Sequence, residues 1–400
     1  MSGRAMSNAS ESLRVVHVMR APLGGLFRHV CDLAQGQHQA GLKVGIVMGE
    51  APRDPVSVAR LRDMAGACEL GIHVMPMSRM PGLGDVTNLL RLYEHTRRLG
   101  AEIIHGHGAK GGAYVRVLPR LAGGFRFYTP HGGSLHFDAK SLKGRLFFAA
   151  ERLMRGRTDG FIFESEFGLR TFFEKVGDPI APAIVIHNGV TEADSVPVSS
   201  EEDAADFVFI GELRALKGVG TLIEAMGLLK DAAHLRIVGS GAERECFEAM
   251  ARKAPHNVRI DFMGPLPARE GFALGRVVVL PSHHESMPYV ALEAAAAGVP
   301  LIAAHVGGVP EIFGPDASRL VAPGDPAALA SALAHATGNP DDMRLLAARL
   351  RQRVTTDFSA ARMAEGVTEF YRTRLDPVTR CNSGKAANAS GVRFREGVSS

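Results

Sequence analysis

Residues 276–300 constrain the fold of this chain more tightly than any other stretch. Arg276-Val-Val-Val-Leu280 is a short apolar run of the kind that forms a strand buried on both faces of a parallel sheet. Pro288 suits the first turn of a helix, where its missing N–H costs nothing, and Tyr289 to Ala297 continue that helix. Gly298 and Pro300 supply the stop. A strand therefore ends, a loop carries Glu285, and a helix begins with free backbone amides, which is a ready seat for a phosphate. Glu285 lies just before those amides and Glu293 eight residues on, along the helix. Amides flanked by two carboxylates suit a ligand with phosphates in the middle and hydroxyls at both ends, and a nucleotide-sugar is such a ligand.

The frame E-S-M-P-Y-V-A-L-E-A-A-A-A-G-V-P-L-I-A, from Glu285 through Glu293 and beyond, resembles the donor-site motif of the family-4 retaining glycosyltransferases of GT-B fold (glycosyl transferases group 1). In that family the first Glu contacts sugar hydroxyls and the second the nucleotide ribose. The turn Ser286, Met287, Pro288 and Tyr289 would then line the diphosphate, with Ser286 where the family usually has Gly. Gly307-Gly308-Val309-Pro310-Glu311 matches the family's G-G-x-P-E segment. The resemblance implies an α/β chain of GT-B fold, two Rossmann-like doubly wound domains facing across a cleft. The nucleotide belongs on the second domain and the acceptor on the first.

Four hundred residues suit two domains better than one core. Apolar residues make up 46% and charged ones 22%, an ordinary globular balance. A net charge of +4 argues against a dedicated nucleic-acid binder. Cys31, Cys68, Cys246 and Cys381 are scattered without metal or disulfide spacing, which fits a reducing compartment. The opening residues are polar, without a signal-peptide core, and no run approaches a membrane span, so a cytoplasmic protein is expected.

Apolar strand runs at 13–19, 43–48, 71–75, 103–107 and 125–129 alternate with helical patterns, which predicts a parallel, doubly wound sheet. Residues 80–84 read as loop. The expected organisation is a disordered start (1–12), a first domain (13–190), a polar strandless linker (191–206), a second domain (207–357), a helix crossing back to the first domain (358–375), and a disordered tail (376–400). Residues 319–325 are expected to complete the second sheet, with Asp325 capping a helix.

Several turns at strand ends carry the remaining candidates. Gly24 and Gly25 let backbone approach a ligand at a helix start, and in the resembled family this turn lies against donor and acceptor. Thr129-Pro-His131-Gly-Gly resembles the family's histidine loop, which places His131 beside the transferred sugar. His105 and His107 end another strand; an H-x-H pair suggests a metal, but no third ligand is spaced to complete a site. Ser165 and Glu166 resemble a family turn after a buried strand, and Ile186-His-Asn-Gly-Val190 its I-x-N-G-V. In G-E-L-R-A-L-K-G, Lys217 holds the position of the family's diphosphate lysine. Glu212 stands at the family's Arg position, and Arg214 is the nearest substitute. Gly239-Ser-Gly241 ends a strand near the nucleotide in that family, although Arg244 replaces the third Gly of a dinucleotide fingerprint.

Residues 140–157 form a basic amphipathic helix with Leu146, Phe147, Ala150, Leu153 and Met154 on one face. That face is expected to pack on its own sheet; the alternative is docking on an anionic membrane. The implied activity is retaining transfer of a sugar, UDP-linked by preference, from a nucleotide-sugar to a glycan or polyprenyl-lipid-linked acceptor. His131, Glu285, Lys217 and Arg214 would carry it. No Asp-x-Asp occurs, so no metal is expected. The competing readings are an epimerase or hydrolase of the same fold, and an idle subunit that binds a partner glycosyltransferase.

Overall fold

The computed structural model describes residues 12–78, 82–120, 124–136, 138 and 140–375. The expectations for residues 1–11, for the loop at 80 and 81 and for the tail from 376 lie outside them, as does Cys381.

The first domain holds a parallel sheet of seven strands: β1 (Arg14–Met19), β2 (Lys43–Met48), β3 (Ile72–Val74), β4 (Ile103–His107), β5 (Phe125–Thr129), β6 (Gly160–Phe163) and β7 (Ala183–Val185). Their order is β3-β2-β1-β4-β5-β6-β7. Side chains alternate across such a sheet. Val15 and Met19 of β1 join Phe27, Val30 and Ala34 of the helix Gly24–Gln39, while Val16 and Val18 pack with Leu92, Tyr114 and Val115 on the other face. The strand order reverses between β1 and β4, the crevice where open α/β sheets bind ligands.

The second domain repeats the scheme with β8 (Ala205–Ile210), β9 (Ala233–Val238), β10 (Val258–Gly264), β11 (Gly275–Leu280) and β12 (Leu301–Ala303), ordered β10-β9-β8-β11-β12 and all parallel. The strand expected at 276–280 is β11, its inner residues buried. Two expectations need correction. Strand β8 begins at Ala205, inside the expected linker, because its amide bonds Leu274 O beside β11. Residues 319–325 add no strand: Val321 makes a single bridge to Ala304, after which Pro323 and Gly324 turn the chain to the helix Pro326–Gly338, capped by Asp325 as expected.

The chain crosses between domains twice, side by side. Val190 N donates to Phe358 O and Ala360 N to Val190 O, both at 2.8 Å. The return helix runs Ala360–Leu375 and sets Met363, Val367 and Tyr371 into the first domain's core. Phe358 and Ser359 precede it as non-helical backbone, so this helix starts two residues later than its apolar pattern predicts.

Candidate functional site

Two loops at the carboxyl ends of β8 and β11 meet at Lys217 and Glu285. Lys217 Nζ donates to Glu285 Oε1 at 2.7 Å and to Oε2 at 3.0 Å, and Ser282 Oγ donates to Oε1 at 2.7 Å. The loops are fastened by His283 N donating to Leu216 O at 2.9 Å and by Thr221 Oγ1 against His283 Nε2 at 2.9 Å. Gly218 makes this approach feasible: its φ is +71°, and a Cβ there would lie 1.9 Å from Pro281 O. Arg214 is not brought to this pair. Its guanidinium lies half-exposed, 3.3 Å from Glu212 Oε2.

Gly239 and Gly241 sit beside the same loop for a packing reason. A Cβ on Gly239 would meet Gly211 O, and one on Gly241 would meet Leu213 O. The helix after Glu285 runs Tyr289–Ala296, with Pro288 at its N-cap instead of in its first turn.

Tyr289 and Glu293 face the first domain. Arg28, on the helix Gly24–Gln39, stacks over the Tyr289 ring at 4.8 Å and is ion-paired with Glu293, Asp194 and Asp32. Gly25 packs so closely that a Cβ would stand 3.3 Å from Tyr289 Cδ2, whereas Gly24, with φ +58°, borders open space. Glu293, expected at the ribose, is therefore held by a buried arginine of the other domain. Burial pushes the Asp194 carboxyl up, but Arg28 and Thr191 outweigh it and hold it below its ordinary value. Sequence reasoning missed Arg28; its pairing with Asp32 at i+4 was the only local signal.

A cluster of histidines fills the crevice where the first sheet's strand order reverses. Residues 105 and 107 share a face of β4 by the two-residue period, and register sets His17 of β1 beside His105. The helix Gly24–Gln39 adds His29 and Gln37, and the turn after β5 adds His131. His17 Nε2 lies 2.8 Å from Gln37 Oε1, His17 Nδ1 3.0 Å from His107 Nε2, and His107 Nδ1 3.0 Å from His131 Nε2. His131 Nδ1 then faces Glu164 Oε2 at 2.5 Å. His105 is taken on both sides, by Tyr371 OH at 2.6 Å and Thr129 Oγ1 at 2.8 Å. Burial lowers His17 to about 4 and His29 to about 3, and holds His105 and His107 well below the ordinary histidine value. These rings are neutral at physiological pH. His131 has a φ of +51°, the one non-glycine in the left-handed region among the described residues, a strained backbone at a strand end facing the cleft. Glu164 hydrogen-bonds Ser286, so the histidine cluster reaches the donor loop across the cleft. Glu164, His17 and His29 gave no motif, because the fold assembles them from three separate segments.

Glu311 of the G-G-x-P-E segment accepts from the amides of Glu166 and Phe167, each at 2.9 Å, and lies 2.9 Å from His187 Nε2. It thus binds the start of the first-domain helix Glu166–Lys175, and the contact expected of Glu166 is made by that residue's own amide. Asn188 Nδ2, in the expected I-x-N-G-V stretch, donates to Met287 O at 2.9 Å.

The basic helix runs Leu142–Met154 and faces the opposite way from the expectation. Its buried residues are Gly144, Phe148 and Glu151, with Glu151 fixed by the fully buried Arg116 at 2.7 Å and Tyr128 at 3.0 Å. Leu142, Leu146 and Leu153 are 84%, 71% and 82% exposed. The buried Arg116–Glu151 pair decides this rotation, and its arginine is remote in sequence. Among the described residues no helix is long and apolar enough to cross a membrane.

Comparison with known proteins bears on the family and the two-domain fold. Residues 23–194 match the family described as Glycosyltransferase Family 4, and residues 204–339 that described as Glycosyl transferases group 1. A relative named glycogen synthase from Mycobacterium tuberculosis (strain CDC 1551 / Oshkosh) is 33% identical across 87% of this chain and 91% of its own. A D-inositol 3-phosphate glycosyltransferase of Corynebacterium urealyticum is 32% identical over 41% of this chain and 42% of its own. Among solved structures, sucrose-phosphate synthase from Thermosynechococcus elongatus superposes with a TM-score of 0.75 at 21% identity, covering 90% of this chain and 98% of that one. HepE of Anabaena, in complex with UDP-glucose, superposes with a TM-score of 0.75 at 17% identity, over 90% of this chain and 100% of that one. The two half-matches abut near the linker and the full-length relative spans both, so this chain belongs to the family-4, group 1 glycosyltransferases of GT-B fold.

Proposed function

We propose that this glycosyltransferase moves a sugar from a nucleotide-sugar, UDP-linked by preference, to a glycan or polyprenyl-lipid-linked acceptor with retention of anomeric configuration. The observation that carries the reading is the Lys217–Glu285 pair, set where two strand-end loops meet the start of the helix Tyr289–Ala296. Breaking the bond from sugar to diphosphate builds negative charge on the leaving phosphate. Lys217 and the amides around Ser286, Met287 and Tyr289 stabilise that charge, so the diphosphate itself needs no bridging metal. Glu285, exchanging the lysine for sugar hydroxyls, orients the ring, and His131 stands beside it. The acceptor hydroxyl attacks from the leaving-group face and passes its proton to the departing phosphate. Arg214 joins the diphosphate only by turning away from Glu212. The uridine preference draws on HepE, which is described in complex with UDP-glucose.

The acceptor arrives, in this reading, at an anionic membrane on which the helix Leu142–Met154 rests, acting from the cytoplasmic face. Its three exposed leucines are flanked by Lys143, Arg145 and Arg152, the arrangement of an interfacial helix.

Thermal unfolding against UDP, GDP, ADP and their sugar conjugates tests the donor assignment. A ligand at about 100 times its dissociation constant adds roughly 2.7 kcal/mol to the folded state. The expected result is a raised midpoint with uridine nucleotides and a changed response to the sugar conjugate in Glu285→Ala. No shift with any nucleotide would instead favour a subunit that only binds a partner, and donor consumption without acceptor would favour an epimerase or hydrolase.

A further inference from the structure

We propose that His29, His107 and His131 form a binding site for a divalent transition-metal ion of the zinc class on the first domain, apart from the donor diphosphate. One ring nitrogen of each lies within 4.8 Å of the other two. The H-x-H pair contributes only His107; the helix Gly24–Gln39 and the turn after β5 supply the other two ligands, His29 and His131.

The hydrogen bonds around the three rings decide which nitrogens are left to offer. Asn188 uses its Nδ2 to donate to Met287 O, so the Oδ1 that it turns to His29 is an acceptor, 2.8 Å from His29 Nδ1. His29 therefore carries its proton on Nδ1. Its Nε2 is a bare lone pair, buried, with no partner among the described residues. Gln37 Oε1 likewise takes the proton of His17 Nε2, which leaves His17 Nδ1 to accept from His107 Nε2–H. The lone pair of His107 is thus on Nδ1. Glu164 Oε2 faces His131 Nδ1, and His131 turns its Nε2 to His107 Nδ1. Every ring has a partner on its outer nitrogen, Asn188, His17 or Glu164, the outer arrangement that orients metal-bound imidazoles. The 3.0 Å contact between His107 Nδ1 and His131 Nε2 holds one proton while no ion is bound, and an ion would take that proton's place.

The closest pair of nitrogens stands near the spacing of such a site, and the His29 nitrogen lies within 4.8 Å of both. In a tetrahedral site with metal–nitrogen bonds of about 2.0–2.1 Å, ligand nitrogens stand about 3.3 Å apart. His107 Nδ1 and His131 Nε2 are 3.0 Å apart, so a slight opening of that pair accepts the ion. The neighbouring trio His17, His105 and His107 does not compete, since both nitrogens of His105 are held by Tyr371 and Thr129, groups outside the trio. Three imidazoles leave the fourth position for a water or a hydroxyl oxygen, on the side of His131, the least enclosed of the three.

The test uses the tag-free full chain, stripped with a chelator and titrated with Co2+ as a spectroscopic stand-in for Zn2+. The expected result is one equivalent bound, with the intense visible absorption of four-coordinate cobalt, displaced by Zn2+ and lost in His29→Gln and in His131→Gln. Lys217→Ala, which touches none of these rings, should bind as the wild type does, and nucleotide binding should survive chelation. A faint octahedral spectrum from the wild type, several loose equivalents, or a four-coordinate band that persists in both histidine variants would each overturn the proposal. The wild-type spectrum decides even if a variant fails to fold. The outcome is independent of the donor reading, which the nucleotide titration tests separately.

Discussion

Lys217 Nζ lies 2.7 Å and 3.0 Å from the two carboxylate oxygens of Glu285, so residues on loops of two different strands act as one pair. Each is expected to be indispensable for transfer and dispensable for folding. Removing a single preorganised charge-stabilising donor costs about 100-fold or more in rate. The lysine is partly exposed, and a lone Lys217 remains hydrated in Glu285→Ala. Lys217→Ala leaves a mostly buried carboxylate with Ser282 as partner, a penalty of about 1–3 kcal/mol. Steady-state rates and melting curves of both variants check this; near-normal turnover in either would remove the pair from the mechanism.

Gly218→Ala reaches the same pair through the backbone. The added methyl would lie 1.9 Å from Pro281 O, at a φ of +71° that a side chain resists. The two loops must part, carrying Lys217 away from Glu285. Transfer should fall about as far as in Lys217→Ala, with a drop in stability of about 1–3 kcal/mol for the strained backbone. Wild-type kinetics in this variant would mean that the loops need not touch.

Much of this was legible in the sequence, for reasons that separate the successes from the misses. Strand β11, the Glu285 loop and the following helix were readable because apolar run, proline and glycine act locally. Lys217 was readable from a short motif. The helix Leu142–Met154 was assigned correctly as a helix but turned the wrong way, because Glu151 is buried against Arg116 and periodicity cannot show which charge will find a partner 35 residues away. Arg28 and Glu164 were missed for the same reason. His107 lacked partners only while the chain was read as a line; the helix Gly24–Gln39 and the turn after β5 bring His29 and His131 to it, while His105 is held by Tyr371 and Thr129.

Glu311 should make closure of the two domains sensitive to acid. Burial alone would raise its carboxyl, but His187 and the amides of Phe167 and Glu166 outweigh burial and lower it. A carboxylate depressed in the folded state contributes stability that is full above its unfolded value, about 4.3, and is lost as pH falls through the lower folded value. The wild type should therefore lose more stability than Glu311→Gln between neutral pH and about pH 3. Scattering should also show the variant more extended at pH 7, because the contact joins the domains. Parallel acid titrations of the two proteins would disprove the latch.

Arg28→Met is expected to be among the most damaging single changes away from the donor loop. It strips Asp194 and Glu293 of their cation and leaves Asp32 only Arg60, 3.6 Å away, and removal of one partner of a buried ionic cluster costs about 3–5 kcal/mol. Because Glu293 belongs to the second domain, nucleotide affinity should fall with stability. Glu293→Gln should weaken nucleotide binding while costing less stability, since Arg28 keeps its two aspartates. If Glu293→Gln leaves nucleotide affinity untouched, the carboxylate serves the domain contact alone.

The leucines of the basic helix give the membrane reading its own test. Leu142, Leu146 and Leu153 contribute little to the fold where they stand, so Leu146→Asn with Leu153→Asn should leave the melting midpoint within the error of a surface change, about 0.5 kcal/mol. On a vesicle the same side chains would be buried, each worth about 1.5–3 kcal/mol when fully withdrawn from water, with about 1 kcal/mol from each nearby Lys or Arg on an anionic surface. The wild type should float with vesicles containing phosphatidylserine, bind less at high salt, and ignore neutral vesicles. The double variant should stay in solution while keeping its donor binding. Flotation undiminished by the two substitutions would move the contact elsewhere, and wild-type protein that never leaves the soluble fraction would end the membrane assignment, leaving the exposed face to be explained by a glycan acceptor in solution.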